Sequence, residues 1–223
     1  MHWPLTRYGA RELAFGTLVL GALCALALWK APWGAVVPGA LWVFLLGFFR
    51  DPERAMPEGD RWLLSPADGR VADIATVQED DFLKSKATRV GVFMSLFDVH
   101  VNRAPVSGKV LFREHRPGKF RNAMGAAASR ENECLLLGLE RPDGTRLLVK
   151  QIAGLIARRI VCERAVGDEV ARGERFGMVK FGSRLEVYVP NTTRLRLAVA
   201  VGDRVRAGSS ALGELGAVGE PNA

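Results

Sequence analysis

The chain has 223 residues, a formal net charge of +7 and 48% hydrophobic residues, a size that allows one large domain or two small ones. Its Lys and Arg residues are scattered without a block of like charge, which disfavours a nucleic-acid partner. A basic chain whose first fifth is apolar suits an anionic lipid surface, although a basic soluble domain is also compatible with the charge.

Two apolar runs without a charged residue open the chain, at residues 13–29 and 35–49. Each is slightly shorter than the roughly 20 residues of a perpendicular membrane span. Together they predict a membrane-anchoring helical hairpin over residues 1–50 that turns at Pro32 and Gly34. The aromatic residues expected at the membrane interface are Trp29, Trp33 and Trp42.

A cleaved signal peptide is the competing interpretation of this segment. The second apolar run follows almost at once and no small-x-small cleavage site stands out, so an anchor is favoured. Basic residues flank the hairpin on both sides, which predicts both ends in the cytoplasm, the cell (inner) membrane as location and a cytoplasmic remainder of the chain. These residues are Arg7, Arg11, Arg50, Arg54 and Arg61.

Residues 51–223 form the second predicted domain. From Trp62 onward, short runs of Val, Ile, Leu and Phe alternate with Gly, Pro and Asp turn signals, which predicts a mainly β fold. The sequence Val166-Gly-Asp-Glu-Val-Ala-Arg-Gly recurs as Val201-Gly-Asp-Arg-Val-Arg-Ala-Gly, and each copy predicts a tight corner. We expect a flattened barrel or sandwich related to lipoyl/biotinyl-like barrel-sandwich hybrids; chance recurrence of Gly-Asp turns is the alternative. Neither copy has a carrier lysine, so the fold would serve another purpose.

The cysteine pattern predicts neither disulfides nor a metal. Cys24, Cys134 and Cys162 form no CxxC pair, and no histidine is spaced to complete a zinc site. We expect reduced, structural thiols.

The dipeptide Gly182-Ser183 stands between two strand-like runs. A hydroxyl directly after a glycine can attack the preceding carbonyl, because glycine permits a strained backbone and leaves that carbonyl open. An N-to-O acyl shift, β-elimination and loss of ammonia would then cut the chain and leave a pyruvoyl group. By itself, however, Gly-Ser marks an ordinary turn.

Further segments, in order and spacing, resemble the short bacterial and archaeal form of the phosphatidylserine decarboxylase family. They cover residues 48–213 and are Phe48-Phe-Arg-Asp-Pro-Glu-Arg, Ser65-Pro-Ala-Asp-Gly, Phe97-Asp-Val-His-Val-Asn-Arg-Ala-Pro, Gly118-Lys-Phe-Arg-Asn-Ala, Glu131-Asn-Glu, Gln151-Ile-Ala-Gly-Leu-Ile-Ala-Arg-Arg-Ile and Phe181-Gly-Ser-Arg.

This resemblance implies that Ser183 is the pyruvoyl precursor, Asp68 a member of the self-cleavage apparatus and His100 an acid/base residue. It implies cleavage between residues 182 and 183 into a large chain, 1–182, and a small pyruvoyl chain, 183–223, which stay together as a heterodimer, with higher oligomers left open. The implied reaction decarboxylates phosphatidylserine to phosphatidylethanolamine through a Schiff base, in an anionic membrane and without a metal. The same residue types follow from nucleophile chemistry: a hydroxyl, a base and an orienting carboxylate.

Three positions depart from the family pattern. Larger relatives carry a second histidine where this chain has Arg103, and a hydroxyl residue where it has Arg184; short relatives tend to have proline at Leu96. The division of roles between His100 and Asp68 is therefore open. Arg103 and Lys180 are the candidate cations for the substrate phosphate.

Other interpretations remain. An archaeal-type ether-linked serine lipid would undergo the same chemistry, whereas a membrane-tethered lipoyl-like scaffold would have no catalysis. A conventional serine hydrolase lacks its nucleophile elbow. Phe82 with Leu83, or Phe112 with Phe120, are candidate contacts for the acyl chains, although core packing is the simpler expectation for each.

Overall fold

The structure is a computed structural model that describes residues 4–125, 128–155, 159–180 and 182–218. The chain divides into two compact units, Met1–Glu53 and Arg54–Ala223. Parts of the predicted regions lie outside the described residues: residues 1–3 of the hairpin, 126–127 and 156–158 between strands, Phe181 next to the predicted cleavage site, and 219–223 of the predicted small chain.

The first unit contains two apolar helices, α1 (Ala10–Lys30) and α2 (Val36–Phe48), joined by a 3-10 turn. Helix α1 ends at Lys30 because the next residue, Ala31, precedes a proline and is extended. The two helices pack closely: a Cβ built at Gly16 would lie 2.5 Å from Leu45 Cδ2. The predicted turn at Pro32 and Gly34 is confirmed. By length and composition, the segment Arg7–Lys30 can cross a membrane, whereas Pro32–Phe48 is shorter.

The second unit is mainly β, as predicted. Among its described residues, fourteen strands form three antiparallel sheets. The strands are β1 (Trp62–Leu64), β2 (Gly69–Glu79), β3 (Ser85–Met94), β4 (Val101–Arg103), β5 (Gly108–Arg116), β6 (Cys134–Glu140), β7 (Arg146–Ile152), β8 (Ile160–Cys162), β9 (Glu169–Val170), β10 (Arg175–Val179), β11 (Ser183–Pro190), β12 (Thr193–Leu197), β13 (Arg204–Val205) and β14 (Ala211–Val218). A short helix, α3 (Ala128–Glu131), precedes β6.

The largest sheet has eight strands in the order β13-β2-β3-β11-β7-β6-β5-β9 and curls into a half-barrel. Two three-stranded sheets accompany it, in the orders β1-β14-β12 and β4-β10-β8. Strand β11 lies near the middle of the large sheet, between β3 and β7, and every one of its residues is buried. The strand that begins with Ser183 is therefore held on both edges.

The two faces of β11 pack differently because side chains alternate along a strand. Leu185, Val187 and Val189 point into the main core, whereas Tyr188 belongs to a smaller apolar cluster on the other face. By this alternation Ser183 shares the main-core face. Phe82, Leu83 and Phe112, which we considered for acyl-chain contact, pack against the smaller cluster. Their role in the fold is core packing, the simpler of the two expectations.

The internal repeat folds into two equivalent corners. Gly167 and Gly202 adopt φ of +100° and +97°, which glycine reaches without a Cβ penalty. Their N–H groups donate to Val110 and Val71 carbonyls respectively, each at 2.8 Å. The predicted tight corners are thus confirmed, and their strands, β9 and β13, are the two edge strands of the eight-stranded sheet. The relation to lipoyl-like barrels stays a prediction.

Candidate active site

Gly182 has a backbone conformation that side chains rarely adopt, with φ of +68°. Its N–H donates to His100 Nε2 at 3.3 Å. Its carbonyl lies over Gly154, where a built Cβ would be only 1.9 Å from the Gly182 oxygen. Gly182, the residue before Ser183, is therefore held at its N–H by a histidine, and its carbonyl requires the absence of a side chain at residue 154.

His100 is fully buried directly before β4. Its Nδ1 lies 2.9 Å from the Asp98 carbonyl oxygen, and Nε2 accepts from the Gly182 N–H. Since a carbonyl can only accept, we assign the ring proton to Nδ1 and the lone pair, which accepts the Gly182 N–H, to Nε2. The basic nitrogen of His100 thus faces the Gly182–Ser183 junction.

Asp98 shapes the loop that presents this histidine. Its carboxylate accepts hydrogen bonds from both the N–H and the hydroxyl of Ser95, at 2.8 and 2.6 Å. The Asp98 N–H in turn donates to the Ser95 carbonyl at 3.1 Å. Such a side-chain-capped turn fixes the backbone two residues before His100. The position of the ring is consequently set by local structure.

Ser183 is the first residue of β11 and lies opposite Met94 of β3. It is fully buried, and its hydroxyl makes no hydrogen bond with the residues that the structure describes. Leaving a buried hydroxyl unsatisfied costs about 1–3 kcal/mol, so such a group calls for an explanation. A hydroxyl kept available next to an accessible carbonyl is suited to attack it.

Asp68 is held at the start of β2 by two different partners. One carboxylate oxygen accepts the Ala207 N–H at 2.8 Å, and the other pairs with the Arg54 guanidinium at 2.8 Å. Burial raises the pKa of the Asp68 carboxyl above its usual range, against the opposing effects of Ala207 and Arg54. The Asp98 charge adds a smaller increase, so Asp68 and the His100 loop are electrostatic neighbours.

A buried amide pair lies on the same face of the sheet. Gln151 of β7 is opposite Leu185 of β11, and its Nε2 donates to Asn102 Oδ1 at 2.8 Å. Asn102 reaches Met94, the strand partner of Ser183, with 3.9 Å between Nδ2 and Sδ. The Gln151 carbonyl oxygen is buried without a partner among the described residues. A second unsatisfied polar group therefore belongs to the surroundings of Ser183.

The two cations predicted for the substrate phosphate are both buried. Arg103 donates from Nη1 to the Gly173 carbonyl at 3.3 Å, and its stem packs against Gly208. The backbone N–H of Lys180 donates to the Arg159 carbonyl at 3.2 Å, three residues before Ser183. Their assignment to phosphate stays a prediction.

The departures from the family pattern also have structural counterparts. Arg184 points to the opposite face from Ser183, where its guanidinium bonds Asp73 and Glu186 and covers Gly91. A hydroxyl at this position would not face the junction. The Leu96 side chain, by contrast, lies beside Gly182, 3.9 Å from a Cβ built there.

Several residues of this site were not singled out from the sequence. Each lies inside one of the segments that resemble the family, and that position was the only indication in the sequence. Its contacts at the site become visible only in the folded chain. The residues are Arg54, Asp98, Asn102, Gln151 and Gly154. A group of three or more His, Cys, Asp or Glu side chains able to hold a metal is absent from the part of the chain that the structure describes.

The fold and site define a mainly β protein in which a buried histidine contacts the glycine of a glycine–serine junction. The sequence model of phosphatidylserine decarboxylase matches residues 41–213. A protein of Symbiobacterium thermophilum named phosphatidylserine decarboxylase proenzyme is 47% identical over 212 residues, covering 92% of this chain and 95% of its own. Proteins of the same name from Syntrophus aciditrophicus and Aromatoleum aromaticum are 45% and 46% identical, covering 90% and 96% of this chain and 92% and 93% of their own.

The chain therefore belongs to the phosphatidylserine decarboxylase family, which confirms the resemblance drawn from its sequence motifs.

Proposed function

We propose that the chain decarboxylates phosphatidylserine to phosphatidylethanolamine through a Schiff base with a pyruvoyl group made from its own Ser183. The observation that supports this most directly is the Gly182–Ser183 junction. A left-handed glycine held by His100 is followed by a buried hydroxyl without a hydrogen-bond partner among the described residues. The word proenzyme in the relatives' names agrees with a chain that is cut before it works.

Self-cleavage begins when Ser183 Oγ attacks the Gly182 carbonyl carbon while His100 Nε2 exchanges its hydrogen bond with the Gly182 N–H for one with the hydroxyl and takes the hydroxyl proton. The C–N bond then breaks, the nitrogen is protonated, and an ester replaces the amide. Loss of the Cα proton of residue 183 expels Gly182 as the carboxylate end of chain 1–182. The resulting dehydroalanine tautomerises to an imine. Water hydrolyses this imine, so that the nitrogen leaves as ammonia and a ketone remains at the start of chain 183–223.

Asp68 supports this step electrostatically. A carboxylate near the His100 loop stabilises the imidazolium that forms when the ring accepts a proton. The Asp98 charge, two residues before His100, makes a small contribution to raising the pKa of Asp68, so the two proposed groups share an electrostatic neighbour. Arg54 keeps the Asp68 carboxylate ionised and oriented through their 2.8 Å ion pair.

The surroundings of residue 183 fit a pyruvoyl group. The site is buried, the strand is held on both edges, and Gln151 on the same face has a carbonyl oxygen without a partner among the described residues. When formed from residue 183, the ketone would supply an electron sink for the electrons released from the substrate amine as carbon dioxide leaves. His100 then donates the proton to the carbon that carried the carboxylate. Arg103 and Lys180 are the proposed phosphate cations.

The lipid substrate gives a reason for the apolar hairpin. Extracting a two-chain lipid from a bilayer costs about 0.8 kcal/mol for every buried methylene, so the enzyme must work at the membrane. We propose that residues 1–50 anchor the chain in the cell (inner) membrane, with residues 51–223 on the cytoplasmic side. The partners are then an anionic membrane and, after cleavage, the two products of the same chain.

Intact mass of the purified protein tests the proposal. We expect two chains, 1–182 and 183–223, with the smaller lacking the mass of a normal amino-terminal serine and reacting with a carbonyl-specific hydrazine. Ser183→Ala should stay one chain and release no carbon dioxide from phosphatidylserine. A continuous wild-type chain that still released carbon dioxide would overturn the mechanism. A continuous chain without activity would favour the scaffold interpretation, and turnover of an ether-linked serine lipid alone would change the substrate.

Gly154 offers a second test that depends on geometry. Replacing Gly154 with alanine would place a Cβ 1.9 Å from the Gly182 oxygen, so the junction must shift. Because displacement of reacting atoms by about 1 Å can cost roughly 100-fold in rate, we expect self-cleavage to slow by about that factor. The measurement is the time course of cleavage by mass spectrometry.

Gly108→Ala is the matched control for this change. A Cβ there would also crowd a backbone carbonyl, at 2.5 Å from the Glu140 oxygen, but at the junction of β5 and β6. We expect Gly108→Ala to lower thermal stability and still undergo cleavage. Equal cleavage rates in the two variants would contradict the role of Gly154.

A further inference from the structure

Three large apolar side chains of the unit Arg54–Ala223 are conspicuously exposed. Phe97, Leu155 and Met124 are 76%, 66% and 62% exposed, the highest values for large hydrophobic residues among the described part of this unit. Single exposed apolar residues are common on protein surfaces, whereas several at one opening indicate an interaction site. Their positions relative to one another therefore matter.

The three residues converge on the cleavage junction from three separate loops. Phe97 follows Leu96, whose side chain lies beside Gly182, and Leu155 follows Gly154, which the Gly182 carbonyl covers. Met124 follows Ala123, whose Cβ is 3.5 Å from a Cβ built at Gly154. Each exposed side chain is thus one residue away from a residue packed at the junction or against its neighbour. We call Phe97, Met124 and Leu155 the apolar rim.

The charge near the rim favours one kind of partner. Residues 117–131, which include Met124, carry three Lys or Arg residues and a single acidic residue, Glu131. Lys119 and Arg121 both pair with Glu131, so one carboxylate serves two exposed cations. Arg159, four residues after Leu155, is also exposed. Apolar side chains surrounded by cations match the interface of a bilayer that contains anionic lipid.

We propose that the apolar rim inserts into the interface of an anionic bilayer and lets a lipid headgroup reach the junction while its acyl chains remain in the membrane. This inference rests on the proposed function, because a lipid substrate is what gives the rim its purpose. The apolar rim, rather than Phe82, Leu83 and Phe112, is the proposed contact for the acyl chains, since those three side chains pack against the sheet. The rim is a contact surface, separate from the groups that perform the chemistry.

Site-specific photocrosslinking of the full chain tests the contact without requiring catalysis. A benzophenone amino acid replaces Leu155, and the protein is reconstituted in vesicles of phosphatidylcholine and phosphatidylglycerol, neither of which is the proposed substrate. Val166, which is 60% exposed in the Gly167 corner, receives the same group as a matched control. We expect lipid adducts at position 155 in at least tenfold excess over position 166. Adducts to a second copy of the chain, or equal lipid adducts at both positions, would overturn the inference.

A kinetic measurement separates this inference from the proposed function. The double substitution Met124→Ser with Leu155→Ser should lower carbon dioxide release from vesicle-embedded phosphatidylserine about tenfold relative to release from a dispersed short-chain analogue, because fewer apolar groups enter the bilayer. Val166→Ser should leave this ratio unchanged. If the ratio of the two release rates is unchanged in the double variant, the role of the apolar rim is refuted and the proposed function is untouched. If the wild-type protein releases carbon dioxide from neither the vesicle-embedded lipid nor the dispersed analogue, the proposed function itself is refuted.

Discussion

The two corners built from the internal repeat have the same backbone and different chemistry. In one, Asp68 accepts the N–H of Ala207 at 2.8 Å; in the other, Ser107 accepts the N–H of Arg172 at 2.9 Å. Ala207 and Arg172 occupy the same position in the two copies of the repeat. In one corner a neutral hydroxyl therefore accepts the backbone N–H that a carboxylate accepts in the other corner.

The comparison shows that the turn at Asp68 does not need a charge. Its second carboxylate oxygen serves no backbone group and faces Arg54 instead. Burial opposes the ionised form and raises the pKa of Asp68, so the charge is kept there at a cost. Costly charged groups with shifted pKa values concentrate at functional sites, which supports the role proposed for Asp68 in self-cleavage.

The largest expected effect comes from replacing the Asp68 carboxylate with a hydroxyl, the group that Ser107 supplies in the other corner. Asp68→Ser keeps an acceptor for the Ala207 N–H and removes the charge proposed to stabilise the protonated His100. We expect self-cleavage to slow by about 100-fold or more, the scale of a lost orienting carboxylate, while the fold persists. Intact mass against time measures the rate, and far-ultraviolet circular dichroism checks the β structure.

Two further variants isolate the charge effect from simple destabilisation. Asp68→Ser leaves the half-buried Arg54 without the carboxylate of its ion pair, so the pair Asp68→Ser with Arg54→Met removes both charges. It should fold at least as well as the single variant and still cleave slowly. Ser107→Ala, the change on the sister side, should cost about 1 kcal/mol of stability and leave the cleavage rate unaltered. Normal cleavage in both Asp68 variants would reduce Asp68 to a structural residue.

The features that depend on residues close together in the chain could be predicted from the sequence. Gly-Asp turns predicted both corners, alternating apolar runs predicted the β unit, and Pro32 predicted the end of α1. The face of Arg184 also follows from the two-residue period of a strand that begins at Ser183. These features required only neighbouring residues, which is why they were predictable.

Features made by distant segments were not predictable in the same way. Gly154 matters because the Gly182 carbonyl folds over it, and nothing local to Gly154 indicates that contact. The apolar rim likewise exists only where three loops meet, and its residues look like ordinary core positions in sequence. Phe82 and Phe112 are large apolar residues of the same kind, yet their rings stack at 5.7 Å between centroids on the sheet. Burial, which separates these cases, is set by tertiary packing.

The smallest expected effect tests whether the two corners are energetically equivalent. A Cβ at Gly167 or Gly202 would meet nothing within 4 Å, so alanine at either position adds only the cost of a left-handed backbone. That cost is about 1–2 kcal/mol, and it should agree between Gly167→Ala and Gly202→Ala because φ differs by only a few degrees. Denaturant unfolding measures both, in a Ser183→Ala background that keeps the chain continuous. A clearly larger cost at Gly202 would mean that the Asp68 corner carries strain that its sister lacks, and the function of Asp68 would then have to be sought in the backbone as well as in its charge.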